Sequence, residues 1–255
     1  MKYRAMGVVS VFKGGAFLCC KGSVALKAAV IVFPGSNCDR DVADALEQAS
    51  GRRPLMLWHR ETDLPPGLDV VVLPGGFSHG DYLRSGAMAA HAPVMRAVKA
   101  RAEGGLLVLG ICNGFQILTE TGLLPGALMR NSGLHFICRD VFLRVESSDS
   151  LFTERYADQQ VICLPIAHHD GNYFVNDEAY KQLLDNEQVA FRYCDTHGEM
   201  SPAANPNGSR DDIAGVFSRD RRILGLMPHP ERLVDSRLGG TDGRPIFDAL
   251  VEALS

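Results

Sequence analysis

The first half of the chain alternates short apolar runs with amphipathic stretches. Four runs carry no charged residue and are almost wholly apolar: residues 28–33, 55–58, 70–73 and 106–109. Runs of this length are typical of parallel strands that are covered on both faces. The stretches between them predict helices, one of them running from a cap at Ser36 or Asn37 to about Ala49. A second helix is predicted from about Met88 to Glu103.

The second half of the chain is richer in strand-like segments. Strands are predicted for residues 136–145, 160–166, 189–193, 213–217 and 223–227. A terminal helix is predicted for residues 246–254, and no repeat or linker divides the chain. The pattern therefore predicts an α/β protein with an open, mostly parallel central sheet and helices on both faces. We expect one domain over residues 27–255, with a β-rich second half.

Composition narrows the class of protein. Hydrophobic residues make up 46%, charged residues 22%, and the net charge is −4, which argues against nucleic-acid binding. No apolar run reaches the roughly 18–20 residues that a membrane span needs. The seven cysteines include no C-x-x-C pair, which favours free thiols over disulfides or a zinc site. These features predict a cytoplasmic protein.

The first 26 residues stand apart from this pattern. Lys2, Arg4 and an apolar patch faintly imitate a signal peptide, but Lys13 and two glycines interrupt the apolar stretch. Val24 and Leu26 are residue types that alternative start codons can encode. We expect residues 1–26 to be an extension, either disordered or upstream of the true start, whose deletion leaves activity intact.

One cysteine lies between two glycines at a predicted strand-to-helix junction. Cys112 follows the strand at 106–109, with Gly110 and Gly114 two residues away on either side. The glycines leave out Cβ atoms that would clash in so tight a turn, and the nucleophile is held at the top of the sheet. The helix N-terminus favours negative charge and so stabilises a thiolate. Taken alone, the segment is equally compatible with a reactive thiol and a buried one.

A cysteine nucleophile needs a base and a group that orients the base. Among the histidines, only His229 combines the end of a predicted strand, a carboxylate two residues on at Glu231, and a rigid frame of two prolines. Prolines on both sides fix the backbone, and in an extended segment the two side chains share a face. Without Cys112 a surface turn is the better interpretation. Together with Cys112, the pair is better interpreted as part of a Cys-His-Glu triad.

Acyl transfer also needs donors for the oxyanion that develops on the substrate. The backbone N–H groups of Asn113, directly after the nucleophile, and of the turn at Gly75 and Gly76 are the candidates. Glycine in that turn lets a carbonyl approach the backbone closely, although a tight turn alone also explains it.

These segments resemble the signatures of class I, or triad, glutamine amidotransferases. The resemblance lies in residues 110–116, 73–76 and 228–231. Three further segments resemble the glutaminase subunits of phosphoribosylformylglycinamidine synthase, which act in purine biosynthesis: residues 32–39, 76–84 and 238–243. The resemblance covers the chain from about Ala28 to its end.

The resemblance implies a mechanism and partners. Cys112 is expected to attack the side-chain amide of glutamine, with His229 as general base and acid, Glu231 orienting it, and Gln116 positioning glutamine. Ammonia passes to a synthetase subunit, and a small bridging subunit completes the complex. The chain has no phosphate-binding loop. No cofactor or metal is therefore expected here, whereas ATP and magnesium are expected on the synthetase.

One segment departs from the pattern that the resemblance implies. Residues 167–171 read Ala-His-His-Asp-Gly where the family has Ala-His-Gly-Glu-Gly. We interpret this segment as a structural or partner-facing loop. Two alternative functions stay open: a class I glutaminase serving another synthetase, and a non-catalytic thiol sensor on the same fold.

Overall fold

A computed structural model of the protein describes residues 26–254, so the expected extension lies outside the described residues except for Leu26. The strands are β1 Ala28–Val32, β2 Leu55–Trp58, β3 Val70–Leu73, β4 Leu107–Ile111, β5 Ala127–Met129, β6 Ile137–Val145, β7 Val161–His168, β8 Asn172–Phe174, β9 Val189–Cys194, β10 Ile213–Phe217 and β11 Ile223–Leu226. The α-helices are α1 Asp39–Ser50, α2 Ala87–Ala90, α3 Pro93–Glu103, α4 Asn113–Glu120, α5 Asp177–Asp185 and α6 Arg244–Leu254.

The central sheet has nine strands in the order β2-β1-β3-β4-β11-β10-β9-β6-β7, and β5 pairs with β8 in a separate ribbon. The first five strands of that order pair in parallel. The pairings from β11 to β7 are antiparallel. Since each antiparallel pairing reverses the direction, β9 and β7 again run with β4, and only β10 and β6 oppose it. The prediction of an open, mostly parallel sheet is confirmed.

The central strands are buried on both faces. Every residue of β3, β4 and β11 is buried, which explains their unbroken apolar sequence. At the sheet edge, β2 leaves Leu55 and Trp58 exposed. By contrast, β7 alternates between buried and half-buried residues, as expected of a strand with one face toward solvent.

Two predicted helices differ from those observed. The helix predicted from Met88 to Glu103 is two helices, because Ala92 precedes Pro93 and takes an extended conformation that a continuous helix does not allow. Neither Ser36 nor Asn37 caps α1. Cys38 occupies that position without a side-chain cap. The hydrophobic pattern also did not predict α5.

The described residues bear on two expectations about environment. No helix within residues 26–254 combines the length and apolar character that crossing a membrane requires. Five cysteines lie in this range, and all of them are free thiols: Cys38, Cys112, Cys138, Cys163 and Cys194.

Candidate active site

The turn after β4 holds Cys112 in a strained conformation. Its φ and ψ are 50° and −106°, outside the regions that residues other than glycine favour. A Cβ on Gly114 would lie 2.0 Å from the Leu73 carbonyl oxygen, and one on Gly110 would lie 2.4 Å from Leu118 Cδ1. Both glycines are therefore required for α4 to pack directly against β3 and β4. The predicted tight, strained turn is confirmed.

The residue pair that follows β11 lies at the same edge. His229 Nδ1 and Glu231 Oε1 are 2.6 Å apart, and both side chains are buried. The backbone N–H of His229 donates to the Pro165 carbonyl at 2.9 Å, which ties the turn to β7. The predicted contact forms, but its predicted cause is wrong: residues Pro230–Arg232 form a 3₁₀ turn rather than an extended segment.

Two neighbouring histidines carry opposite shifts in pKa. Burial disfavours the charged form of His229, but Glu231 and Cys112 together outweigh it, so its pKa lies well above the ordinary value. Burial, with a smaller effect from His229, lowers the pKa of His168 to about 4. The surroundings of His229 therefore favour its imidazolium form, whereas His168 is neutral near neutral pH.

Cys112 lies between the base and β7. Its thiol donates to the Ala167 carbonyl oxygen at 3.8 Å. On its other side the thiol is close enough to His229 to raise the pKa of that imidazole. The Nε2 atom of His229 is buried and has no hydrogen-bond partner among the described residues. Cys112, His229 and Glu231 are thus brought together, with one imidazole nitrogen left for proton exchange.

The glycine turn after β3 packs onto this group. A Cβ on Gly75 would come within 2.7 Å of His229 Cε1. Gly76 has φ of 133°, and a Cβ there would lie 2.7 Å from the backbone nitrogen of Asn37. The turn therefore admits only glycine, for steric reasons at the first position and for steric and conformational reasons at the second.

The side chains of Asn113 and Gln116 lie in a polar network beside the nucleophile. Asn113 Nδ2 donates to Gln116 Oε1 at 2.8 Å, and Asn113 Oδ1 accepts from the Ser78 backbone at 3.1 Å. Gln116 Nε2 donates to the Asp170 carbonyl at 2.7 Å. Both side chains are buried. The hydrogen bonds of these two side chains join α4 to the loops after β3 and β7.

A buried asparagine, Asn131, holds both ends of the turn within residues 167–171. Asn131 donates from Nδ2 to the His168 carbonyl at 3.0 Å and accepts the Gly171 backbone N–H at 3.0 Å. The Asp170 carboxylate in turn accepts from the Ser85 hydroxyl at 2.7 Å. This loop, interpreted above as structural or partner-facing, also forms one wall of the site.

Sequence reasoning missed three neighbours of the site. Asp81 accepts from Asn113 Nδ2 at 3.3 Å, and burial together with Asp170 raises its pKa to about 6, despite hydrogen bonds that lower it. Cys38 and Arg232 adjoin the base. Asp81 and Cys38 lie inside the segments 76–84 and 32–39, whose resemblance to the family could have pointed to them. No spacing rule relates Cys38 to a residue 191 positions later in the chain.

Comparison with known proteins agrees with this site. The family model for a CobB/CobQ-like glutamine amidotransferase domain matches residues 25–238. The phosphoribosylformylglycinamidine synthase subunit PurQ of Rhodospirillum rubrum is 59% identical over 230 residues, which covers 90% of this chain and 100% of that protein. The subunit of the same name from Roseobacter denitrificans is 57% identical, covering 90% of this chain and 99% of its own length.

Solved structures agree as well. A chain in the structure of PurLQS from Thermotoga maritima matches with a TM-score of 0.80 and 41% identity, covering 91% of this chain and 100% of that chain. The glutaminase domain of Trypanosoma brucei CTPS with bound acivicin has a TM-score of 0.56 at 16% identity, over 90% of this chain and 95% of that chain, and shows the shared fold alone. This chain belongs to the CobB/CobQ-like glutamine amidotransferase family.

Proposed function

We propose that this chain is the glutaminase subunit of a phosphoribosylformylglycinamidine synthase. It hydrolyses L-glutamine to glutamate and ammonia and delivers the ammonia to an ATP-dependent synthetase subunit. The observation that carries the proposal is the buried His229–Glu231 pair at 2.6 Å, beside a strained cysteine whose thiol raises the pKa of that histidine. The relatives named above support the choice of synthetase.

The first half-reaction forms a thioester. The Cys112 sulfur attacks the side-chain amide carbon of glutamine, and His229 takes the thiol proton and returns it to the departing nitrogen. Ammonia leaves as the C–N bond breaks and the C–S bond holds the glutamyl group. Glu231 keeps the imidazole oriented and stabilises its charged form, which the raised pKa of His229 favours.

The second half-reaction releases glutamate. A water molecule gives a proton to His229 and attacks the thioester carbon, and the thiol of Cys112 is restored. In both half-reactions negative charge develops on the substrate carbonyl oxygen. The backbone N–H groups of the Gly75–Gly76 turn and of Asn113 are the donors proposed to receive it. The packing of Gly75 against His229 supports this role.

The polar network holds the glutamine-binding wall in place. Gln116 reaches the Asp170 carbonyl at 2.7 Å, so its positioning role is exerted through the loop at 167–171. The carboxylates of Asp81 and Asp170 face this wall from two different loops and interact with each other. They supply negative charge on the side where a zwitterionic amino acid would enter.

Apolar residues near the site support a partner subunit. Tyr82, Leu83 and Leu134 are 73%, 94% and 70% exposed. Phe77 directly follows the glycine turn, and its ring centroid lies 6.4 Å from that of Phe136. Ile137, next to Phe136, pairs with His168, which places this group at the edge that carries the site. A synthetase docked here would receive ammonia without loss to solvent, and ATP and magnesium would bind to that partner.

The proposal is tested by separating the two sources of nitrogen. In the complex with the cognate synthetase, Cys112→Ala is expected to reduce glutamine-dependent amidation of formylglycinamide ribonucleotide about 10³-fold or more. Amidation from added ammonium salts should remain, because the synthetase is untouched. Cys138→Ser, at an exposed cysteine on β6, is the matched control. Glutamine-dependent turnover that survives Cys112→Ala would refute the triad.

The same assay tests the two alternatives. Glutamate release should rise with a synthetase that accepts formylglycinamide ribonucleotide and not with one that makes guanylate or cytidylate. The opposite response would assign the chain to another synthetase. A thiol sensor would release no glutamate with any of them. The free thiols of the described residues support a cytoplasmic location for this reaction.

A further inference from the structure

A second cysteine lies against the proposed base, although the triad mechanism does not use it. Cys38 directly precedes α1 and is 2% exposed. Its sulfur, a ring nitrogen of His229 and a carboxylate oxygen of Glu231 all lie within 4.8 Å of one another. The imidazole of His229 is therefore close to two thiols: Cys112 in the turn after β4, and Cys38 before α1.

A guanidinium holds the Cys38 sulfur in place. Arg232 Nη2 donates to Cys38 Sγ at 3.1 Å, while Arg232 Nε lies 3.4 Å from the Asp41 carboxylate on α1. The Cys38 thiol itself donates to Asn37 Oδ1 at 3.3 Å. With its proton directed to Asn37, the sulfur presents lone pairs to the arginine and the imidazole. A cation already beside the sulfur disfavours a metal ion among these groups.

The same sulfur contacts the glycine turn. A Cβ on Gly75 would lie 3.2 Å from Cys38 Sγ and 2.7 Å from His229 Cε1, so turn, thiol and imidazole meet at one point. The Cys38 backbone N–H donates to the Gly75 carbonyl at 3.4 Å. A displacement of the sulfur would therefore move the proposed oxyanion donors and the proposed base together.

We propose that Cys38 and Arg232 form a positioning pair that fixes the His229 imidazole against the oxyanion turn. This inference rests on the function proposed above. Cys38 supplies a polarisable acceptor beside the ring. Arg232 anchors that acceptor to α1 through Asp41. Neither residue touches the reacting atoms.

The titratable groups that face His229 set the direction of the expected effect. They are Glu231 on its own turn, Cys112 in the turn before α4, His168 on β7, and Cys38 before α1. Glu231 and the two thiols favour the imidazolium, whereas burial opposes it. Removing the Cys38 sulfur withdraws one favourable neighbour, so the pKa of His229 should fall.

The test compares Cys38→Ala and Cys38→Ser in the complex with the synthetase. For Cys38→Ala we expect kcat for glutamine hydrolysis to fall about 10- to 100-fold, because a misplaced catalytic group costs up to about 100-fold per ångström. KM should stay within about twofold, since the pair does not bind glutamine. The acidic limb of the pH profile, where protonation removes the general base, should move down by about 0.5 unit, a modest contribution for one neighbour.

Conservative variants separate positioning from packing. Cys38→Ser keeps an acceptor for Arg232 and should recover part of kcat and of the pH profile. Likewise, Arg232→Lys should recover part of kcat and of the pH profile that Arg232→Gln loses. Cys38→Ala combined with Arg232→Gln should cost little more than either alone, because the two residues act as a unit. Cys138→Ser is the matched control.

An NMR titration of the His229 imidazole in the purified chain gives a readout independent of turnover. A lower imidazole pKa in Cys38→Ala supports the pair even if the wild-type complex releases no glutamate, an outcome that would sink only the proposed function. An unchanged kcat and imidazole pKa in Cys38→Ala would overturn the pair. So would a Cys38→Ser variant with wild-type thermal stability and no recovery of the pH profile.

Discussion

The parallel and antiparallel parts of the sheet contribute differently to one site. In the parallel part, β3, β4 and β11 each end in a turn with proposed chemistry: the glycine pair, the nucleophile and the base with its carboxylate. In the antiparallel part, β7 supplies the Pro165 carbonyl that accepts from the backbone of His229 and the Ala167 carbonyl that accepts from Cys112. The parallel strands present reactive groups, and the antiparallel strands hold them.

Strand direction explains why both parts reach the same edge. Ligands bind beyond the carboxyl ends of parallel strands, where β3, β4 and β11 end together. Four antiparallel pairings, from β11 through β10, β9 and β6, bring β7 back into line with these strands. The end of β7 therefore contacts the turn after β4, although more than 50 residues separate Cys112 from Ala167 in the chain.

The largest expected effect comes from a substitution in the parallel part of the sheet, beside the turn that carries Cys112. In Gly114→Ala the new Cβ would lie 2.0 Å from the Leu73 carbonyl, so α4 or β3 must shift. We expect unfolding free energy to fall by about 1–3 kcal/mol or more. Glutamine hydrolysis should fall by about 100-fold, because Cys112 moves with α4. Urea unfolding and steady-state kinetics measure the two effects.

The matched control lies beyond the other end of the same helix. Gly122, unlike Gly114, has a positive φ, of 72°, but a Cβ there meets nothing within 4 Å. Gly122→Ala should lose only about 1 kcal/mol from backbone strain and keep its glutaminase activity. Equal losses of activity in the two variants would show that the close approach of α4 to β3 does not matter.

A smaller effect is expected from loosening the antiparallel part. Asn131 is fully buried, and its side chain holds the backbone of His168 and Gly171. In Asn131→Ala these backbone groups lose their partners, which should cost about 1–3 kcal/mol. Because Asp170 in this loop accepts from Gln116, we expect KM for glutamine to rise severalfold more than kcat falls.

Asn186→Ala is the comparison for this variant. Asn186 Nδ2 donates to the Gln182 carbonyl of its own helix, α5, and should be replaceable with little change in either constant. A fall in kcat with unchanged KM in Asn131→Ala would mean that the loop supports the chemical step rather than glutamine binding.

The two parts also differ in how far the sequence predicts them. Buried parallel strands need continuous apolar runs, and turns that carry a nucleophile need glycine, so Gly110, Gly114 and the turn at Gly75 were visible in the sequence. The pairing of His229 with Glu231 was visible too. Its 3₁₀ geometry was not, because proline permits both an extended segment and a turn.

The support for the site was hidden because it depends on contacts between distant segments. Cys38 precedes a helix as any small residue can, and only the packing of Gly75 brings it to His229. Asn131 stands in a loop whose partners are 37 and 40 residues away. The direction of β7 follows from four antiparallel pairings whose order no local pattern specifies.

The smallest expected effect concerns Asp81, whose carboxyl group lies between the two parts and interacts with Asn113 and Asp170. Burial raises its pKa from 3.8 to about 6. A carboxyl group with a raised pKa stabilises the fold fully below its unfolded pKa, and that stabilisation is lost as pH rises through the folded pKa. Asp81→Asn stays neutral at every pH. The variant should therefore gain stability relative to wild type as pH rises from about 4 to about 7.

Urea unfolding at pH 5 and pH 8 measures this difference, which should be about 1 kcal/mol or less because solvent reaches part of the Asp81 carboxyl group. Asp158→Asn supplies a control that should not respond to this change of pH. Hydrogen bonds from Ser148, including its backbone N–H at 2.8 Å, hold the pKa of Asp158 below its ordinary value of 3.8, so the stabilisation from this carboxylate is lost only at pH values below those measured. If Asp81→Asn and wild type differ equally at both pH values, Asp81 is ionised in the folded protein throughout this range. The loop after β3 would then carry a full negative charge toward Asp170 even at pH 5, and the two parts of the sheet would meet across a repulsive contact.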